Sequence, residues 1–196
     1  MQNDSGKSAV GSGPTSHSPL KGRLFWPILI AIVASDVITK AVAVKMLGIQ
    51  RVPHEVFGEY VRFTLVYNPG AAFGLHVGEH SRWVFMALTV GALLILGRLY
   101  VAAPSGDRPR VISLALVCGG AIGNLIDRIR DARGVVDFLD VGVGDARWPT
   151  FNVADMAVSL GAFLLAIVLW AEERPPDEEK VGIVTSDLRH ESGEAT

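Results

Sequence analysis

Four stretches of the chain are almost free of charge, and each approaches the length that a lipid bilayer demands of a crossing helix. Leu24 to Ser35 has no ionisable side chain and continues past Asp36 and Lys40 to Val44. Trp83 to Gly97 lies between Arg82 and Arg98, and Val111 to Ile126 between Arg110 and Asp127. Met156 to Ala171 follows the mostly apolar Trp148 to Ala154. A spanning helix needs about 20 mainly apolar residues. Helices of a water-soluble bundle would instead keep a polar face at helical spacing, and Leu88 to Leu96 and Phe163 to Trp170 keep none. The pattern predicts a membrane all-α fold with four transmembrane helices.

Charge is scarce as well as segregated. Charged residues make up 19% of the 196, where soluble domains carry about a quarter. From Glu172 to Thr196 there are eight acidic and three basic side chains, and with that segment removed the first 171 residues carry about +3. Such a chain is neither wholly disordered nor a strongly basic nucleic-acid binder. Its one cysteine, Cys118, excludes a disulfide scaffold or a multi-thiolate metal site and reads as a small packing residue.

Three regions follow. Residues 1–22, rich in Ser, Gly and Pro, read as a disordered cytoplasmic tail; 23–171 form the membrane domain; 172–196 form a disordered acidic cytoplasmic tail. Asp36 and Lys40 inside the first span, with no small-x-small site after it, argue against a cleaved signal peptide. Four spans put both ends on one side. Basic residues are densest in the near-membrane tail and in Arg98 to Arg110, which favours that side as cytoplasmic. In the loop between spans one and two, Val61, Phe63, Leu65 and Tyr67 alternate with Arg62, Thr64 and Val66. That period predicts a strand, ended by the turn residues Asn68-Pro69-Gly70, and so a small extracytoplasmic sheet between helices 1 and 2.

Ionisable groups within membrane helices are costly and mark functional interiors. Asp36 and Lys40 lie four apart and share a helix face, either as a brace or as part of a site. Gly119-Gly120-Ala121-Ile122-Gly123-Asn124-Leu125-Ile126-Asp127-Arg128 places Asn124, Asp127 and Arg128 on one side of the third helix. Phe151-Asn152-Val153-Ala154-Asp155 opens the fourth, and Val135-Val136-Asp137-Phe138 sets a carboxylate among apolar neighbours in the last loop. Two such carboxylates close together share a proton and suit general acid–base chemistry. Carboxylates serving a proton- or ion-coupled transporter are the equal alternative. His54, His76 and His80 lack zinc-site spacing, and no Gly-x-Ser-x-Gly elbow is present.

Taken in order, these blocks resemble the bacterial lipoprotein signal peptidases (signal peptidase II). The likeness runs through Asp36-Val37-Ile38-Thr39-Lys40, Asn68-Pro69-Gly70-Ala71-Ala72-Phe73-Gly74, the glycine-rich Asn124 to Arg128 block, Val135 to Phe138 and Phe151 to Asp155. It covers roughly Arg23 to Ala171 and leaves out the tails. The resemblance implies a multi-pass inner-membrane aspartic endopeptidase with both termini cytoplasmic and its site near the outer face. It implies removal of the signal peptide from prolipoproteins already carrying diacylglyceryl, by a cut before the lipidated cysteine. It implies no metal or cofactor, no nucleic acid, and a monomer whose partners are prolipoprotein substrates and membrane lipids. By this likeness the catalytic pair is Asp137 and Asp155. Asn68, Asn124, Arg128 and Asn152 bind substrate or support the pair, and Asp36, Lys40 and Asp127 are structural. Asp127 is expected to be held ionised by its neighbour Arg128, whereas the apolar flanks of Asp137 favour a raised pKa. The stretch Ile129 to Gly134 is a residue longer than usual, which alters a turn.

Overall fold

A computed structural model describes residues 19–70 and 78–172. The chain forms α1 (Pro19–Leu47), β1 (Pro53–Phe57), β2 (Val61–Asn68), a 3-10 turn at Gly78–His80, α2 (Ser81–Ala102), α3 (Arg108–Arg130), β3 (Val135–Val143), β4 (Ala146–Arg147) and α4 (Val153–Glu172). All four helices are long and apolar enough to cross a membrane. Each extends past its uncharged run into flanking polar residues, some exposed at the helix ends and others, such as Asp127 and Asp155, turned into the bundle. Thus α1 begins at Pro19, inside the segment read as tail. The remaining tail residues, Ala71 to Gly74 of the second block and His76 lie outside the described residues.

Polar ties at the helix ends set the up-and-down arrangement. Lys21 near the start of α1 donates to the carbonyls of Val101 at 3.1 Å and Ala103 at 2.6 Å, at the end of α2. Arg110 near the start of α3 pairs with Glu172 at the end of α4. One end of the bundle therefore holds the α2–α3 turn, and the other holds the sheet. Exposed Trp26 and Trp170 mark the first end, exposed Trp83 and Trp148 the second, the two aromatic belts of a membrane protein.

α3 is the hub, packed against the other three helices. Its Val111, Leu114, Ala115 and Cys118 join Phe25 and Leu29 of α1 in the apolar core. By contrast, Ser81 is the only buried residue of α2 among the described residues, and Trp83, Leu88, Leu94, Ile95 and Val101 stand exposed. In water that surface would be untenable. In a bilayer it is the solvent-facing surface, and helices associate through close packing and small residues instead.

The glycines of α3 supply that packing. A methyl group at Gly120 would overlap the carbonyl oxygen of Ala154 in α4, and one at Gly123 would lie 2.5 Å from Oδ2 of Asp36. Gly120→Ala should therefore force α4 away from α3 and cost about 1–3 kcal/mol. Lower thermal stability in detergent is the readout, with Gly91→Ala as control, since nothing lies within 4 Å of that position. Equal melting of the two variants would refute this packing argument.

The sheet is antiparallel, in the order β1-β2-β3-β4. Only half of it comes from the loop between helices 1 and 2; β3 and β4 come from the last loop. The run Val135 to Asp140 is almost entirely buried, so it lacks the polar–apolar alternation that marks a one-sided strand. The alternation expected in β2 is also broken. A register shift between Phe63 and Val66 leaves Phe63 exposed and buries both Thr64 and Leu65. Buried Thr64 donates to Oδ2 of Asp140 at 2.9 Å. Residues 131–134, between α3 and β3, form a turn, with Gly134 N donating to the Asp131 carbonyl at 3.2 Å.

One contact positions everything that follows. Phe151, just ahead of α4, exchanges backbone hydrogen bonds with Leu139 of β3 at 2.8 and 3.0 Å. The start of α4 is thereby stitched to the strand that carries Asp137.

Candidate active site

Asn152 is wholly buried between the two carboxylates. Its Nδ2 donates to Oδ1 of Asp137 at 2.7 Å, and its backbone N–H donates to Oδ2 of Asp155 at 3.2 Å. Its Oδ1 accepts from the Asp155 backbone N–H at 2.9 Å. The last two bonds form a reciprocal N-terminal cap, in which residues three apart satisfy each other's orphan N–H groups. The three-residue spacing of Asn152 and Asp155 is thus first a helix-start signal. The same cap holds the Asp155 side chain in place beside Asp137.

The other two asparagines complete the frame. Asn68, at the end of β2, donates to Oδ2 of Asp137 at 3.2 Å and accepts from Gly70 N at 3.0 Å. Asn124 of α3 donates to Oδ1 of Asp155 at 2.7 Å. Its own Oδ1 accepts from Nδ2 of Asn152 at 3.1 Å and from Nζ of Lys40 at 2.9 Å. Each carboxylate is therefore gripped by amides from two separate elements.

Behind this frame lies a charge cluster. Lys40 pairs with Asp36 at 2.7 Å and with Asp127 at 2.8 Å. Oδ1 of Asp36 accepts from Ala154 N at the start of α4, at 2.9 Å, and Oδ2 of Asp127 accepts from Val136 N in β3, at 3.2 Å. The cluster joins α1, α3, α4 and β3 through one buried ammonium group. The expected partner of Asp127 is corrected here. Lys40, and not Arg128, is the residue that pairs with it, because adjacent helical residues point about 100° apart. Arg128 instead donates from Nη1 to the Asn124 carbonyl at 3.2 Å and lies over the Phe85 ring at 5.6 Å. Its Nε is buried without a hydrogen-bond partner among the described residues, and its charge faces Asp155, Asp137 and Asp127. Arg82, which sequence reading passed over, donates from Nε to the Arg128 carbonyl at 2.6 Å; as one more charge flanking an apolar run, it carried no distinguishing signal.

Asp137 is 2% exposed, whereas Asp155 is half-buried. Burial, reinforced by the neighbouring charge of Asp155, pushes the Asp137 carboxyl up to about 7; the amides of Asn68 and Asn152 oppose that rise. The strand thus holds a carboxylic acid that keeps its proton near neutrality, next to a second, more accessible carboxylate. Such a pair can give and take protons on a bound carbonyl compound.

Fold and site together define a multi-pass membrane protein with a carboxylate pair framed by amides at the sheet end of its bundle. Residues 28–171 match the family described as signal peptidase (SPase) II. Lipoprotein signal peptidase of Burkholderia mallei (strain SAVP1) is 40% identical over 141 residues, 70% of this chain and 82% of that protein. Lipoprotein signal peptidase of Mycobacterium avium (strain 104) is 36% identical over 162 residues, 80% of this chain and 84% of that protein. A bacterial membrane enzyme solved by the in meso method at 2.3 Å is similar with a TM-score of 0.67 and 26% identity, covering 78% of this chain and 92% of the other. The chain belongs to the signal peptidase II family. It is a membrane protease of lipoprotein signal-peptide processing, and its substrates are prolipoproteins.

Proposed function

We propose that the protein is an intramembrane aspartic endopeptidase that cuts diacylglyceryl-modified prolipoproteins just before the lipidated cysteine. The observation that carries this reading is Asn152, which hydrogen-bonds both Asp137 and Asp155 from one buried position. Asp155, the more accessible carboxylate, removes a proton from water as the water oxygen attacks the scissile carbonyl. Asp137 donates its proton to the carbonyl oxygen as the tetrahedral gem-diol forms. On collapse Asp155 passes the proton taken from water to the departing nitrogen, and Asp137 takes a proton back from the gem-diol, so the pair returns to its starting state. Asn68, Asn124 and Asn152 hold the pair in register. Arg128, with one N–H group unclaimed among the described residues, binds the substrate backbone or the developing oxyanion.

The enzyme works as a monomer in the bacterial cytoplasmic (inner) membrane, with both termini in the cytoplasm and the site near the outer face. The lipid on the substrate stays in the bilayer, so the scissile bond is delivered where the helices meet the sheet. Release of signal peptide from a lipid-modified precursor in detergent is the direct test. Cleavage of the unmodified precursor at the same rate would sink the assigned specificity. So would ion or proton flux in sealed vesicles with no peptide released.

The protonation of Asp137 adds a pH prediction. Turnover requires its proton, which is retained up to about pH 7. The value of kcat/KM should fall about tenfold per pH unit once the medium is well above that point. A rate that stays flat from pH 6 to 9 in the free enzyme would remove Asp137 from the role of acid.

A further inference from the structure

We propose that the end of the bundle opposite the sheet binds the phosphate of an anionic phospholipid headgroup. The start of α1 and the α2–α3 turn enclose a cavity of about 230 Å³, lined by Lys21, Arg23, Leu24, Ser105, Arg108 and Val111. Its wall is divided by chemistry. Val111 belongs to the apolar core and Leu24 packs against it, while the other four residues offer cations and a hydroxyl.

The cations are not neutralised. Lys21 is anchored by two backbone carbonyls, which accept hydrogen bonds without cancelling its charge. Arg23 and Arg108 are exposed, and neither has an ion-pair or hydrogen-bond partner for its side chain among the described residues. Arg110 nearby shows the contrast, since Asp107 at 2.9 Å and Glu172 both take its charge. Three positive charges thus face one small cavity at the level where exposed Trp26 marks the membrane interface. Guanidinium forks match pairs of phosphate oxygens, and the Ser105 hydroxyl can donate to another.

Size and surroundings select a lipid over a soluble ligand. Pockets for drug-sized molecules run from about 300 to 1,000 Å³, so this cavity suits a headgroup rather than a whole metabolite. The apolar side formed by Leu24 and Val111 would receive the start of the acyl chains. The proposal does not rest on the assigned catalytic pair.

The test uses the purified full chain in neutral detergent, titrated separately with phosphatidylglycerol, phosphatidylcholine and inorganic phosphate. Retained lipid is read by native mass spectrometry and the unfolding temperature by a thermal scan. Phosphatidylglycerol should stay bound and raise the unfolding temperature, and phosphatidylcholine should do neither. Arg23→Gln with Arg108→Gln should weaken phosphatidylglycerol binding roughly thirtyfold, with lysines at both positions restoring most of it. Equal binding of the two lipids, or undiminished binding by the glutamine variant, overturns the proposal. Equal stabilisation by inorganic phosphate would mark a plain anion site and overturn the lipid assignment. So would an absence of any phosphatidylglycerol effect.

Discussion

Asp137→Asn and Asp155→Asn should each lower the turnover of a lipid-modified precursor by a factor on the order of 10³ or more. Neither amide can exchange the proton that the reaction requires, although each nearly preserves the shape of the side chain. If the two residues act as one unit, as proposed, the double variant should be little worse than either single one. A single variant that keeps a tenth of the parent rate would exclude that aspartate from the chemistry.

Stability separates this effect from misfolding. In the unfolded chain Asp137 ionises near 3.8, whereas in the folded protein it keeps its proton up to about 7. Below pH 4 both states are protonated, and the carboxyl imposes no penalty on folding. Between about pH 4 and 7 the unfolded state ionises while the folded state keeps its proton, and a few kcal/mol of stability are lost progressively across that window. Asp137→Asn cannot ionise, so it should melt higher than the parent at pH 8 and close to it at pH 4. An inactive but more heat-stable variant is the signature of an acid held protonated for function.

Lys40→Met is the second large effect, and it acts through folding. Lys40 is 3% exposed and holds Asp36, at 0% exposed, and Asp127 together. Its removal leaves two carboxylates of like charge facing one another in a membrane-facing bundle. Loss of one partner from a buried ion pair costs about 3–5 kcal/mol. It also leaves Oδ1 of Asn124, which Lys40 holds at 2.9 Å, with the Asn152 amide alone, so any folded remainder should turn over more slowly. Adding Asp36→Asn to Lys40→Met removes one orphaned charge and should recover part of the stability. A Lys40→Met protein that melts within a degree or two of the parent would show that the cluster holds nothing together.

These two sites were legible in the sequence to different degrees. The apolar flanks of Asp137 point to a raised pKa, since burial of a carboxyl can be inferred from its neighbours in the sequence. The pairing of Asp36 with Lys40 followed from a spacing of four on one helix. The reach of Lys40 to Asp127 and Asn124 did not, because it crosses from α1 to α3 and depends on Gly123 letting the helices approach. Arg128 was the natural partner for Asp127 by adjacency alone, but helix geometry turns neighbours away from each other. The second half of the sheet was hidden by its own burial, which erased the alternation that reveals a strand.

The solvent and the spans follow from the order of amino acids alone, because a bilayer imposes a compositional demand that each helix must meet alone. The chain's ordered motifs also singled out the few polar residues retained near the membrane. How those residues combine depends on packing. Residues 137 and 155 are brought together when β3 pairs with the segment ahead of α4 and Asn152 caps the helix between them. Such contacts join chain segments distant in sequence, and their geometry exists only once the helices have packed.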